Sequence, residues 1–239
     1  MPDLAQLNAW AEDARLALPC GSSLRFAEAA PGGALAYEQA VARDGIVGVR
    51  RNSLHDALNA LVWLAFPRMK AALNARHVRD GAGAAPNARS RARDAATLLD
   101  ESGLVLVCAD SDLVLLLRDH AWRELFCARH AEVTRATCPF AVGHGLLAKL
   151  RAPYRAITAK TLIVALDPAT LPAGGVGRAI VDAAAARAIA GPAFRPEWLL
   201  PLPVSALPGW DTEGLGERLF EDPAVFRPPA LSPTRSDRA

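Results

Sequence analysis

Two consecutive helices are predicted by residues 51–77, whose sequence is RNSLHDALNALVWLAFPRMKAALNARH. Ser53 is a favourable N-cap residue, and Asp56, three residues later, places a carboxylate at the positive end of a helix. This first helix is expected to cover residues 54–66. Pro67 cannot continue it but suits the first turn of another helix, so the rest of the stretch should form the second one.

Polar side chains recur on one face of each of these helices. His55 and Asn59 stand four residues apart on a first helix that is otherwise apolar almost all round, which predicts burial on several sides. The second helix offers Lys70, Asn74 and His77 at i, i+4 and i+7, again on one face. Buried polar groups need partners, and two helices joined through a proline can bring such faces together.

The rest of the chain mixes extended and helical patterns. Asp44-Gly45 lies between two apolar runs and predicts a β-hairpin over residues 37–49, and residues 100–103 predict the turn of a second hairpin over 96–108. Further predicted elements are helices over residues 4–18, from Asp110 or Ser111, over 143–150 and over 176–190, and a buried strand within 158–166. The predicted fold class is α+β, with small antiparallel sheets from two hairpins packed against several helices. Residues 1–239 are expected to form a single globular domain, with a disordered tail over 229–239.

Composition excludes several classes of protein. With 239 residues, 51% of them hydrophobic and 22% charged, the chain has the balance of a globular protein that buries a full core, so disordered and fibrous classes are excluded. A net charge of +2 gives no field that would attract nucleic acid or an anionic membrane as the main partner.

Cysteine spacing and apolar run length predict a cytoplasmic location. None of the four cysteines forms a Cys-x-x-Cys pair, so neither a zinc knuckle nor a thioredoxin-like motif is predicted. The first residues carry acidic side chains where a signal peptide would need a basic start and an apolar run. The apolar runs fall short of the ~20 residues that a membrane span requires.

Several stretches in order along the chain resemble a known family. They are residues 51–77, RARDAATLLDESG (91–103), WRELF (122–126), GHGLLAK (143–149), TAK (158–160), LPGW (207–210) and DPAVFRP (222–228). From about Tyr37 to Pro228 the chain is similar to the bacterial family catalogued as domain of unknown function 3025. The resemblance implies kinship but no activity. Two departures are Leu54, where the family usually has an aromatic residue, and Ala148, where it usually has an acidic one before the lysine.

The polar members of that pattern supply the candidate site residues. Candidate catalytic residues, as metal ligands or as a general acid and base, are His55, Asp56, His77 and Asp94. Candidate binding residues are Asn59, Asn74, Arg93, Asp100, Glu101, His144, Lys149 and Lys160, of which His144 and Lys149 could present backbone N–H groups and positive charge to an anion. Any metal or cofactor is left unknown.

Three functions remain open at this point, and whether the chain is an enzyme is undecided. The favoured one is a binding or structural domain in which these side chains form a buried hydrogen-bond network. The alternative is a metal-dependent or acid/base hydrolase acting on a small anionic, phosphate-type substrate. A second alternative is weak nucleic-acid binding through an Arg-rich loop within residues 76–93, although nucleic acid is not the expected partner because no aromatic residues are interleaved. No membrane partner is expected, and other partners and the oligomeric state are left unknown.

Overall fold

A computed structural model describes residues 1–19, 21–81, 90–207 and 220–228. The helices are α1 (Leu4–Asp13), α2 (Ala34–Asp44), α3 (Leu54–Ala65), α4 (Pro67–Gly81), α5 (Arg91–Ser102), α6 (Ser111–Arg118), α7 (His130–Ala136), α8 (His144–Lys149) and α9 (Gly175–Ala190), with a π-helical segment at Glu124–Ala128 and 3₁₀ turns at Pro168–Thr170, Pro196–Trp198 and Val204–Ala206. The strands are β1 (Arg25–Glu28), β2 (Ile46–Val49), β3 (Gly103–Val107), β4 (Cys138–Ala141), β5 (Thr158–Val164) and β6 (Leu200–Pro203). The tail predicted over residues 229–239 lies outside the described residues.

A four-stranded sheet with the order β4-β3-β5-β6 lies at the centre of the larger part of the fold. The two central strands, β3 and β5, pair in parallel, whereas β4 and β6 pair antiparallel at the edges. Both edge strands contain proline, which has no N–H to donate to a sheet ladder and is tolerated at an edge. The α+β class is therefore confirmed, although the sheet is mixed rather than antiparallel.

Strand β3 is buried on both faces and separates two hydrophobic clusters. Leu104 and Leu106 pack into one cluster with α6 and α7, while Val105 and Val107 pack into the other with α4, α5 and α9. Side chains alternate across a strand, so a continuous apolar run can serve both layers. The sheet is therefore covered on both sides. Strand β3 starts directly after helix α5, so its position in the sheet determines where α5 ends.

The first predicted hairpin is wrong, because residues 34–44 form helix α2 and the flanking strands β1 and β2 pair in parallel. Gly45 ends the helix with φ 71° and donates its N–H to the Val41 carbonyl at 3.0 Å. A glycine in the left-handed region closes a helix as readily as it closes a hairpin, so Asp44-Gly45 is compatible with both. A third hydrophobic cluster, with Trp63 among its members, covers this two-stranded sheet.

The second predicted hairpin is also wrong. Helix α5 continues through Asp100 and Glu101 to Ser102, and β3 starts at the next residue, Gly103. A Cβ on Gly103 would lie 2.0 Å from the carbonyl oxygen of Leu99, so only glycine allows the chain to leave the helix this sharply. The two acidic side chains therefore extend from the last turn of a helix and not from a surface turn.

The two helices of residues 51–77 are confirmed with their predicted boundary. The Asp56 N–H donates to Ser53 Oγ at 3.2 Å, which is the expected N-cap, and helix α4 starts at Pro67. The carboxylate of Asp182 in α9 accepts the N–H groups of Arg68 and Met69 at 3.0 and 2.8 Å, so a distant helix caps α4. Helices α6, α8 and α9 also match their predicted positions, whereas α1 starts as predicted but ends at Asp13 rather than at residue 18. In the described ranges, each helix is too short or too polar to cross a bilayer.

Candidate metal centre

Three helix ends meet at one place on the surface: the start of α3, the end of α5 and the start of α8. They bring together His55, Glu101 and His144, whose potential ligand atoms all lie within 4.8 Å of one another. Glu101 Oε1 lies 3.8 Å from His55 Nε2 and 3.3 Å from His144 Nε2. The two imidazole rings meet edge to face with their centroids 4.3 Å apart. We call these three residues the His-Glu-His cluster.

The glycines on either side of His144 allow α8 to approach the end of α5. A Cβ on Gly143 would lie 2.2 Å from the backbone nitrogen of Gly103, and a Cβ on Gly145 would lie 2.8 Å from the carbonyl oxygen of Glu101. Both separations are shorter than side-chain contacts tolerate. The Gly-His-Gly sequence therefore places His144 directly against Glu101, a role that the sequence pattern alone did not reveal.

His144 is buried, with 3% of its surface exposed, and neither ring nitrogen makes a hydrogen bond to the described residues. Burial lowers the pKa of its imidazole, although Asp100 opposes the shift, so the ring is expected to be neutral near pH 7. A buried polar group without a partner destabilises a fold by about 1–3 kcal/mol. These two nitrogens, which have no hydrogen-bond partner among the described residues and which face carboxylates, favour a ligand-binding role for the ring.

His55 is oriented by its neighbour Asp56. The His55 Nδ1 lies 3.0 Å from Asp56 Oδ1, and the same carboxylate accepts the backbone N–H of Arg50 and two bonds from its guanidinium, each at 2.8 Å. The Arg50 guanidinium lowers the pKa of Asp56 well below its usual range, so the carboxylate is ionised and the proton of His55 lies on Nδ1. In the neutral ring, the lone pair of His55 then lies on Nε2, which faces the cluster.

A buried ion pair stands behind His144. Lys70, with 4% of its side chain exposed, forms a very short ion pair with Asp100 and donates to Asn59 Oδ1 at 2.8 Å. The other carboxylate oxygen of Asp100 lies 3.9 Å from His144 Nδ1, which is an electrostatic contact rather than a hydrogen bond. Burial alone would raise the pKa of Asp100, but Lys70, His144 and His77 outweigh it and lower the pKa.

A polar network continues from Lys70 into the interior of the fold. The Asn59 amide donates to Tyr37 Oη at 3.1 Å. The Asn74 amide donates to the backbone carbonyl of Glu38 at 2.8 Å and to one of its carboxylate oxygens at 2.5 Å. Burial raises the pKa of Glu38 to about 7 and raises that of Tyr37 as well. The polar faces predicted on α3 and α4 do meet, and Lys70 and Asn59 make the contact.

Five predicted candidates are brought together at this site: His55, Asp56, Asp100, Glu101 and His144. One detail of the prediction is wrong, because His55 and Asn59 do not project together into a buried surface. Half of the His55 side chain is exposed beside Glu101, whereas Asn59 is buried in the network.

The other candidates lie outside the His-Glu-His cluster. Asn74 belongs to the buried network, and the charge of His77 contributes to the lowered pKa of Asp100. Asp94 and Arg93 lie in the first turn of α5, far along the helix from Glu101. The two lysines lie on other elements: Lys149 is exposed in the last turn of α8, and Lys160 lies in β5 opposite Gly103 and Pro201.

Two of the arginines predicted for a surface loop, Arg76 and Arg91, lie in helices and bind partners in other parts of the fold. Arg76 is buried, and its guanidinium donates to the carbonyls of Ile189 and Gly191 at the end of α9. Arg91 lies in α5, not in a loop, and pairs with Glu197. Residues 82–89 of the predicted loop lie outside the described residues.

Sequence reasoning missed the cations that hold the site. The sequence pattern puts Lys70 on the correct helical face, but the predicted candidates include neither Lys70 nor Arg50. A signal for Lys70 existed, because a lysine on the buried face of a helix must be paired. The partner of Lys70 cannot be predicted in this way, because the sequence pattern puts Asp100 in a turn.

The donor set and its spacing suit a transition-metal ion. A tetrahedral ion with bonds of about 2.0–2.1 Å to nitrogen and oxygen holds its ligand atoms about 3.3 Å apart. The separations of 3.3 and 3.8 Å around Glu101 Oε1 are close to that value, and all three ligand atoms lie within 4.8 Å of one another. Two imidazoles with one carboxylate favour zinc or iron, whereas magnesium and calcium prefer oxygen ligands alone.

Comparison with known proteins assigns a family. Residues 24–230 match the sequence model of a family described as Protein of unknown function (DUF3025). The chain belongs to this family. The DUF3025 match covers the whole His-Glu-His cluster and the Lys70–Asp100 pair. No curated protein and no solved structure matches the chain.

Proposed function

We propose that this DUF3025 protein is a zinc-dependent hydrolase whose metal ion is held by His55, Glu101 and His144. The observation that carries the proposal is His144, a buried imidazole without a hydrogen-bond partner among the described residues, placed 3.3 Å from a carboxylate and edge to face with a second imidazole. Two histidines and a glutamate form the ligand set of a well-known class of catalytic zinc sites.

The exposure of the cluster supports a catalytic rather than a purely structural ion. Both the His55 and the Glu101 side chains are 51% exposed to solvent, whereas the His144 side chain is buried on the inner side of the cluster. Structural zinc sites use four protein ligands, whereas catalytic sites use three and keep a position for water or substrate. A zinc ion lowers the pKa of its bound water to about 7 and so supplies a hydroxide nucleophile at neutral pH.

The charges around the cluster favour an anionic substrate. Arg50 compensates Asp56, and Lys70 compensates Asp100, so neither carboxylate offsets the charge of the ion. A divalent ion with one carboxylate ligand, Glu101, retains a net charge of about +1. Such a centre attracts phosphate or carboxylate groups and stabilises negative charge that develops on their oxygens.

The experiment is metal reconstitution followed by hydrolysis assays. The full chain is stripped with chelator, reloaded with Zn²⁺ and assayed with p-nitrophenyl phosphate, bis-p-nitrophenyl phosphate and p-nitrophenyl acetate. We expect one zinc per chain and zinc-dependent hydrolysis of at least one of the two anionic esters. His55→Ala should abolish both properties, because it removes a ligand from the exposed side of the site.

His130→Ala is the matched control, since His130 is an exposed histidine on α7 that does not belong to the cluster. It should retain the metal and the hydrolysis rate of the unmodified chain. Absence of zinc binding, or hydrolysis that His55→Ala leaves unchanged, would refute the proposed function.

A further inference from the structure

Arg50 has hydrogen-bonding capacity that the fold leaves unused. A guanidinium carries five N–H donors in a planar arrangement. In Arg50, Nε–H and one Nη2–H donate to the two carboxylate oxygens of Asp56, each at 2.8 Å, and no described residue accepts from the remaining N–H groups. The side chain is 66% exposed. The edge of the guanidinium formed by Nη1 and Nη2 is therefore open to a ligand from solution.

The order of these bonds places the open edge on the His55 side of the ion pair. The Asp56 oxygen that accepts from Nη2 is Oδ1, and His55 Nδ1 contacts the same oxygen, whereas Nε bonds to Oδ2. The open edge starts at Nη2, so it lies next to the oxygen that His55 contacts. Nη2 and Nδ1 lie 2.8 and 3.0 Å from this one oxygen, and the two nitrogens are therefore less than 6 Å apart.

Asp56 also holds this guanidinium in one orientation. Its carboxylate is 10% exposed, accepts the backbone N–H of Arg50 at 2.8 Å and belongs to the first turn of α3. A bidentate pair fixes the plane of an arginine side chain, so a ligand that binds the open edge immobilises little further. Arg51 lacks this restraint, because it is 82% exposed and pairs with Glu28, which is 59% exposed.

We propose that the open edge of Arg50 is a second anion-binding site beside the metal centre, and that it selects phosphate esters that carry a further carboxylate or phosphate group. The planar fork of arginine matches both groups through two parallel hydrogen bonds. One carboxylate oxygen and one imidazole ring separate this edge from the cluster, a span that a spacer of a few bonds bridges. This inference rests on the proposed function for the choice of substrate, whereas anion binding at Arg50 does not require zinc.

The first test titrates the metal-free full chain with inorganic phosphate and follows the Nε–H signals of its arginines by ¹H–¹⁵N NMR. The Arg50 signal is assigned by its absence in Arg50→Lys. We expect it to shift and to reach saturation, whereas the Arg51 signal should not saturate. An Arg50 signal that does not saturate, or that behaves as Arg51 does, would overturn the inference even if the chain hydrolyses esters. Saturation without zinc-dependent hydrolysis would sustain the anion site and refute only the proposed function.

The second test compares two substrates of equal length on the zinc-loaded chain. Propyl phosphate is measured against the phosphate ester of 3-hydroxypropanoate, which has a carboxylate in place of the terminal methyl group. We expect kcat/KM to be about 10-fold higher or more for the second ester, mainly through a lower KM. Arg50→Lys keeps the charge but loses the fork, so it should remove most of this preference. Because Arg50 also holds Asp56, the variant is expected to lower both rates, and the ratio of the two kcat/KM values is the readout.

Arg51→Lys is the matched control. Arg51 is the adjacent exposed arginine, and it pairs with Glu28 and not with Asp56. This variant should leave the ratio of the two kcat/KM values unchanged. A ratio near one in the unmodified chain, or a ratio that Arg50→Lys does not lower, would show that Arg50 acts only through Asp56 and would overturn the inference. An equal loss of the ratio in Arg51→Lys would attribute the preference to general surface charge and would overturn it as well.

Discussion

Replacement of Gly145 by alanine should weaken metal binding because it displaces Glu101. The new Cβ would lie 2.8 Å from the Glu101 carbonyl oxygen and 3.0 Å from its Oε2, whereas ordinary contacts start at 3.4 Å. Overpacking of this kind destabilises a fold by about 1–3 kcal/mol, and alanine recovers about 1 kcal/mol over glycine within a helix. The net loss of unfolding free energy should thus be at most about 2 kcal/mol.

The effect on the site should be larger than this modest loss of stability suggests. A carboxylate moved by a few tenths of an ångström no longer matches the two imidazoles, and we expect the Zn²⁺ dissociation constant to rise about 10-fold or more, which corresponds to about 1.4 kcal/mol. Calorimetric titration of stripped protein measures the affinity, and urea unfolding measures the stability.

Gly175→Ala is the matched control for this variant. Gly175 lies in the first turn of α9, and a Cβ there meets only the end of the Arg178 side chain, at 3.8 Å. It should gain helix propensity without a clash and bind zinc normally. Unchanged zinc affinity in Gly145→Ala would refute the view that close packing of α8 on α5 positions Glu101 as a ligand.

Three further predictions concern the fold around the site. The pKa of Glu38 is raised to about 7, so between about pH 4.5 and 7 the folded state binds more protons than the unfolded state, and stability falls as the pH rises. Glu38→Gln should abolish this fall, which is worth up to about 3 kcal/mol. Urea unfolding at pH 5 and pH 8 would contradict the prediction if both chains lost stability equally. Asn59→Ala should lower the unfolding free energy by about 1–3 kcal/mol because Tyr37 and Lys70 lose their hydrogen-bond partner. His55→Ala, at a half-exposed residue, should change it by less than about 1 kcal/mol. Thermal melts that rank the two variants the other way would be inconsistent with the buried network. Asp182→Ala should destabilise the chain by about 0.5–2 kcal/mol because α4 loses its cap. Asp167→Ala, which removes an exposed cap of a 3₁₀ turn, should not have this effect. Equal effects of the two variants in denaturant unfolding would count against a cap supplied by a distant helix.

Local signals in the sequence predict the helices well and the strand connections poorly. Ser53 and Pro67 define the ends of α3 and α4 through backbone chemistry that acts within a few residues, so their effect is independent of the rest of the fold. Gly45 and Gly103 mark breaks equally clearly, but a glycine break does not say whether a helix or a strand precedes it. Tertiary packing decides that, which is why both hairpin predictions failed.

The candidate site could be predicted as a set of residues but not as an arrangement. His55, Glu101 and His144 all appear among the predicted candidates, yet they lie on three helices separated by up to 89 positions in the chain. Their convergence depends on Gly103, which directs β3 away from α5, and on Gly145, which admits α8. Neither contact is local, so no spacing rule relates the three ligands.

The most direct measurement of the central claim is zinc K-edge X-ray absorption of the reconstituted full-length protein. The proposed centre predicts about two imidazole nitrogens and additional oxygen scatterers at about 2.0–2.1 Å, and one imidazole fewer in His55→Ala. A zinc spectrum without imidazole scattering, or one that His55→Ala leaves unchanged, would contradict the assignment of His55, Glu101 and His144 as a metal centre.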